Sequence, residues 1–177
     1  EFRKAVKAEI DAAPAYLNRV RANPEAYSKE IGVSLKGIAP LPALVWDERL
    51  AASAEKRAAD MAKRNYFNHV NPDGIGPNYY VKQEGYALPT FWSAAKSANN
   101  LESISAGLDK GVANIINLIN DNGAGNAAAG HRIHLLGLNS FFKSHSKIGI
   151  GMAYNPESTY KYYFVIHTAP EEQQQGQ

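Results

Sequence analysis

Two periods run along this chain. Apolar residues recur every three to four positions through most of its length and every second position near its end. From Ala5 to Ile31 the pattern is helical. Pro14 fits the first turn of a second helix, and Tyr16, Leu17, Val20 and Arg21 mark one side of it. Pro24 opens a further short helix through Tyr27 and Ile31, and Gly32 stops it. Ser34 to Ala43 carries Gly37, Pro40 and Pro42 and reads as a connecting loop. The clearest helix runs from Trp46 to Asn65. Asp47 suits its N-cap, and Leu50, Ala54, Ala58 and Met61 form one stripe.

Asn71-Pro72-Asp73-Gly74 is a turn signal, because Pro fixes φ and Gly accepts a positive one. A short helix is predicted from Pro77 to Gly85, an irregular stretch from Tyr86 to Ala98, and an extended piece from Leu101 to Ser105. Val112, Ile115, Ile116 and Ile119 predict another helix over 112–120. Asn122 to Asn126 is a flexible loop, and Gly130 opens a segment reaching Leu138. Two strands close the pattern, Lys147–Tyr154 and Tyr160–Thr168, joined by a hairpin of about five residues around Pro156-Glu157-Ser158. Helices first and strands late predict an α+β domain, with helices packed on an antiparallel sheet. Residues 1–170 form this single domain, and 171–177 are a polar Gln-rich tail expected to lack order.

Composition narrows the classes. At 177 residues, 45% hydrophobic and 20% charged, the chain holds enough apolar surface for one real core. No run approaches the roughly 20 apolar residues that span a bilayer. The formal net charge is only +2, with Lys and Arg dispersed, so no nucleic-acid or anionic-membrane partner is expected. With no cysteine, disulfides, thiolate metal sites and cysteine nucleophiles are excluded. The chain opens on Glu1-Phe2 without Met, and a leader already removed is the expectation. A monomer is expected.

Catalytic signatures are sparse. There is no Gly-x-Ser-x-Gly elbow and no His-Glu-x-x-His. Gly74-Ile75-Gly76 and Gly123-Ala124-Gly125 lack the Lys-Ser/Thr of a phosphate loop and read as turns. His134, three residues after His131, is read as a surface or capping residue. His145 and His167 are read as structural or solvent-facing. Tyr79, Tyr80, Tyr86, Phe91 and Trp92 either line an apolar groove for lipid, peptide or glycan, or pin a long loop as a satellite cluster.

Six segments, in order, resemble the CAP superfamily, the family of cysteine-rich secretory proteins and pathogenesis-related-1 proteins, in its bacterial style. They are Leu17-Asn18-Arg19-Val20-Arg21-Ala22-Asn23-Pro24, Leu44-Val45-Trp46-Asp47-Glu48-Arg49-Leu50-Ala51, His69 with Pro72-Asp73-Gly74, Asn100-Leu101-Glu102-Ser103-Ile104, Gly130-His131-Arg132-Ile133-His134-Leu135-Leu136, and Ile148-Gly149-Ile150-Gly151. Ser103 stands where the family usually has Asn. The resemblance covers about Tyr16 to Thr168. It implies an α-β-α sandwich, with an antiparallel sheet between helical layers and a cleft on one side.

The resemblance also implies a cleft lined by two His and two acids. His69, His131 and Glu102 match three of these positions, and Asp121, in Asn120-Asp121-Asn122-Gly123, is the candidate for the fourth. Two imidazoles can hold Zn²⁺ or another divalent metal, so His69, Glu102, His131 and Asp121 form the expected metal set. The first three are also the candidate catalytic residues. The implied protein is a secreted or cell-envelope binding domain, with a metal-dependent hydrolase and a lipid or sterol binder as alternatives.

Overall fold

The computed structural model describes residues 2–173, and side chains from Val6 onward. Its elements follow the apolar pattern, with a few departures. The first helix, α1, runs unbroken over Phe2–Ala22 with Pro14 inside it, where the sequence suggested two helices meeting at Pro14. A proline inside a helix costs about 3 kcal/mol through one missing hydrogen bond and a ring clash. Burial outweighs that cost here, because Ala13, Leu17 and Val20 are fully buried on one stripe while Val6 and Ile10 pack against the same core. A 3₁₀ turn, Pro24–Tyr27, and the short α2, Ser28–Ile31, follow.

Strand β1 is only Val45–Trp46, and α3 is Glu48–Arg64. Asp47 caps α3 by accepting hydrogen bonds from the Arg49 and Leu50 amides. Asn65 closes it in the left-handed region that Asn tolerates. The predicted stripe of Leu50, Ala54, Ala58 and Met61 is fully buried. Each large side chain so placed contributes about 1.5–3 kcal/mol of transfer free energy. The remaining elements are α4 (Pro77–Gln83), β2 (Glu102–Ala106), α5 (Gly111–Asn120), α6 (Gly130–Leu136), α7 (Ser140–Lys143), β3 (Lys147–Tyr154) and β4 (Tyr162–Ala169).

The sheet has the order β1-β3-β4-β2. Three strands are antiparallel as expected, and β1 adds a two-residue parallel edge on β3, which the sequence pattern did not show. One face carries Ile148, Ile150, Met152, Phe164 and Ile166 against α1, α5 and α6. The other sets Ile104, Tyr163 and Val165 against α3. Helices therefore cover both faces, giving the predicted α-β-α sandwich. Strand β3 alternates large residues with glycine for a steric reason. A Cβ on Gly149 would lie 2.0 Å from the Ala51 nitrogen, and one on Gly151 2.3 Å from the Glu55 nitrogen, so α3 rests directly on β3.

Two further expectations need correction. The loop between β3 and β4 spans seven residues, 155–161, because Lys161 takes a positive φ and β4 starts only at Tyr162. Tyr160 thus leaves the strand face assigned to it and packs on Phe67, with ring centres 5.6 Å apart. The polar tail is anchored at its start: the Glu172 carboxylate accepts from Arg49 at 2.7 and 3.0 Å and from the Ala87 amide. Residues 174–177 of that tail lie outside the described residues.

Candidate functional site

The site is built from three polar groups, two of them buried and one partly exposed. The first begins on α3, where Arg57 interrupts the apolar stripe, four residues after Ser53. Arg57 is fully buried and grips Glu102, at the start of β2, from Nε and Nη2 at 2.9 and 3.0 Å. This bidentate fork suits a planar guanidinium. Its third nitrogen donates to the Tyr66 hydroxyl, and Nη2 also donates to the Asn68 carbonyl, so each of the three nitrogens of Arg57 has a partner in the chain after α3.

Glu102 has no spare oxygen. Oε1 also meets His69 Nδ1, and Oε2 meets His167 Nε2, both at 2.8 Å. Burial pushes its pKa up, but the bonds from His167, His69 and Arg57 outweigh burial and hold it well below the usual carboxylate range. The carboxylate therefore fixes which ring nitrogens carry protons. His69 donates from Nδ1 and turns Nε2 outward. His167 is fully buried, and burial lowers its pKa despite the Glu102 bond. The neutral ring donates from Nε2, leaving Nδ1 to accept from Ser53 Oγ, 2.6 Å away.

The second group is short-range. Asp121 follows α5 in the left-handed region, and its carboxylate takes the His131 backbone amide at 2.9 Å and His131 Nδ1 at 3.0 Å. His131 lies on the first turn of α6, and it too turns Nε2 outward. The His69 and His131 side chains are each 38% exposed, while Glu102 behind one is fully buried and Asp121 behind the other is 16% exposed.

The third group corrects a prediction. His134 is neither a surface nor a capping residue. It is buried, with Nδ1 2.6 Å from Ser103 Oγ and Nε2 2.7 Å from Thr168 Oγ1. Ser103, at the position where the resembled family has Asn, thus has a defined role as the support of this ring. Thr168 Oγ1 also meets His145 Nδ1 at 2.7 Å. Burial lowers both pKa values, His134 well below its ordinary value and His145 to about 4, so both rings are neutral. Donation from His145 through Thr168 and His134 to Ser103 pairs every ring nitrogen except His145 Nε2, which keeps a bare lone pair.

His69 and His131 line one cleft of about 240 Å³, together with Glu102, Ser103, His134 and Phe142. His131 and Asp121 also line a neighbouring hollow of about 230 Å³ with Phe67, Ile104, Ala106 and Tyr160. Two larger hollows, of about 460 and 520 Å³, lie elsewhere and contain none of the four predicted site residues. All four are thus brought to one place, the two rings facing the cleft and the two carboxylates backing them. Among the described residues no three His, Asp or Glu are disposed to hold a metal ion together. The donor set fits a cation held by two imidazole nitrogens and water, and it does not fit four protein ligands.

The aromatic loop turns inward. Tyr86 and Trp92 are buried with Leu50, Val81 and Leu101, and neither lines the His cleft. Tyr80 accepts from Asn71 and lies over Arg57. Phe91 alone among them stands exposed, at 80%.

Sequence reasoning missed Arg57, Ser53 and Thr168, and it left His167 without a role. The one available signal was Ser53 and Arg57 at i and i+4 beside an apolar stripe, since a cation on a core-facing helix face needs a buried partner.

A family model for the cysteine-rich secretory protein family (CAP) matches residues 15–168. A search of curated protein sequences returned no match. Among solved structures, the chain is similar to an extracellular protein containing an SCP domain from Bacillus anthracis, with a TM-score of 0.58 and 18% identity, covering 94% of this chain and 43% of that one. It therefore spans less than half the length of that protein. It is also similar to venom allergen-like protein 4 of Schistosoma mansoni, with a TM-score of 0.54, 14% identity and coverage of 93% and 90%. An outer surface protein of Borrelia burgdorferi matches with a TM-score of 0.52, 14% identity and coverage of 89% and 94%. At these identities the likeness is one of fold.

Proposed function

The chain belongs to the cysteine-rich secretory protein (CAP) family, and from that membership we propose an extracellular or cell-envelope binding domain whose working surface is the cleft between His69 and His131. The observation that carries this reading is the paired support of the two rings. Each Nδ1 is tied to a carboxylate and each Nε2 faces the cleft. An imidazole oriented in this way is a fixed acceptor.

His69 and His131 would hold a divalent cation such as Zn²⁺, which when bound would supply a Lewis-acidic point for an oxygen or nitrogen of the bound molecule. The protein's own residues do the rest: Glu102 and Asp121 orient the rings, and Arg57 fixes Glu102. This arrangement favours binding over hydrolysis. Glu102 is saturated by Arg57, His69 and His167 and held ionised, so it has no free lone pair with which to activate a water. The extracellular setting is supported by two structural neighbours whose names place them outside the cell. No described helix is long and apolar enough to cross a membrane.

Calorimetric titration of Zn²⁺ into metal-stripped protein tests the reading, beside the double variant His69→Ala/His131→Ala. Binding by the parent that the variant loses is the expected result. A parent that binds no Zn²⁺, or a double variant that binds it equally well, overturns the two-histidine cation site.

A further inference from the structure

We infer that the free edge of β2 accepts an extended peptide carrying a Lys or Arg side chain, which adds a fifth strand to the sheet and places its cation between His69 and His131. The inference rests on reading this cleft as the binding surface, and it names the partner.

The register of β2 supplies the argument. The Leu101 carbonyl accepts from the Thr168 amide at 3.0 Å, and the Gly107 amide donates to the Tyr162 carbonyl at 2.9 Å. Paired residues in an antiparallel ladder alternate between bonding across and facing away. Ser103 and Ser105 therefore bond β4, opposite Ile166 and Phe164, while Glu102, Ile104 and Ala106 turn their backbone groups to the outer edge. Asn99 Oδ1 takes the Glu102 amide. No group among the described residues meets the amides of Ile104 and Ala106 or the carbonyls of Glu102 and Ile104. Such a row of alternating acceptors and donors is matched by the backbone of another strand.

The surroundings select one strand and its charge. Glu102, Ser103, Ile104 and Ser105 are each 7% exposed or less, so the edge lies at the bottom of a trough. Its α3 side is walled by Phe67, His69 and Tyr160. Its α5–α6 side is walled by Asp121 and His131. Arg57 neutralises Glu102, whereas Asp121 pairs with no Lys or Arg among the described residues. The trough thus carries the Asp121 carboxylate, which feels the charge of Arg132 without an ion pair to it, next to two outward imidazole acceptors. A Lys or Arg side chain complements all three.

The probe is the capped peptide acetyl-Thr-Val-Lys-Val-Thr-amide, with binding followed by NMR and by hydrogen exchange of the Ile104 and Ala106 amides. Saturable binding is expected, with exchange at both amides slowed roughly tenfold or more. Replacing the peptide's Lys by Glu weakens binding, and N-methylating alternate peptide bonds weakens it by roughly tenfold per hydrogen bond lost. Ala106→Pro removes an outward donor while leaving the ladder to β4 intact, and it weakens binding similarly. Binding that leaves both amides unprotected overturns the proposal. So does equal binding of the N-methylated peptide, or no saturation by ~1 mM peptide. If Zn²⁺ binds and the peptide does not, the edge reading fails alone. If the peptide binds and Zn²⁺ does not, only the cation site falls.

Discussion

The two walls of the cleft present the same chemical group by different means. On the His69 wall the supporting carboxylate is fully buried, forked by a guanidinium 45 residues away in sequence and bonded to a second buried imidazole. On the His131 wall the carboxylate sits in a turn ten residues before the ring, is 16% exposed, and meets no cation of the chain among the described residues. One wall is tied to the interior of the sandwich, the other to a local loop. The difference teaches that aiming an imidazole costs a protein little when the support is local. The interior network must therefore be judged by what it does for the fold as well as by what it does for the site.

The sharpest way to break the comparison is Arg57→Ala. Net gain from a buried ion pair is small, because desolvation offsets attraction. Removing one partner leaves an uncompensated charge and costs about 3–5 kcal/mol. Glu102 would then hold a buried negative charge with no guanidinium beside it, only the bonds to the His69 and His167 rings. Urea denaturation of parent and variant reads the loss. A cost under ~1 kcal/mol would mean that water reaches Glu102 and that the two walls do not differ in kind.

That network also marks where sequence reading stopped. His69, Glu102 and His131 were named only through the resemblance of their segments to the CAP family, with Asp121 as the candidate for the fourth position. The stripe of α3 and the alternation of β3 were legible because helices and strands impose fixed periods. Arg57 and His167 were not, since a lone cation beside a stripe and a lone His near a strand end mean nothing until the strand pairing sets Glu102 opposite His167. His134 was misread because spacing gives the side of a helix and not what covers it. Pro14 was misread because local propensity was outweighed by long-range packing. Two-residue β1 has too few positions to show any period.

Behind both walls, the third polar group sharpens the comparison, because it works with neutral rings. His145 is held neutral by burial among Trp92, Phe141 and Phe142, with Arg21 adding a further unfavourable field and His134 as its other titratable neighbour. Its folded pKa of about 4 lies below the ordinary 6.5. Unfolding therefore takes up a proton between these values. Stability from this group is full above the ordinary value, falls as pH drops below it, and levels off below the folded one. The loss is on the order of 3 kcal/mol. Urea midpoints measured between about pH 7 and pH 4 should fall in the parent and fall less in His145→Phe. Parallel profiles in the two proteins would show that acid sensitivity arises elsewhere.

The smallest effect on stability should come from the His131 wall. Asp121→Asn keeps the left-handed backbone, which Asn tolerates, and keeps a side-chain oxygen for the His131 amide. What it removes is the charge behind the ring. Because the carboxylate is partly exposed and its partner ring open to solvent, the stability change should stay under about 1 kcal/mol. The cleft should feel it more, since loss of a carboxylate supporting a metal-bound imidazole lowers affinity by about 10-fold or more. Urea denaturation and Zn²⁺ calorimetry on the same preparation separate the two quantities. A weakened cation site on an intact fold is the signature of a local support. An Asp121→Asn loss of stability as large as that of Arg57→Ala would instead make both walls parts of one interior network, and the turn after α5 would count as core.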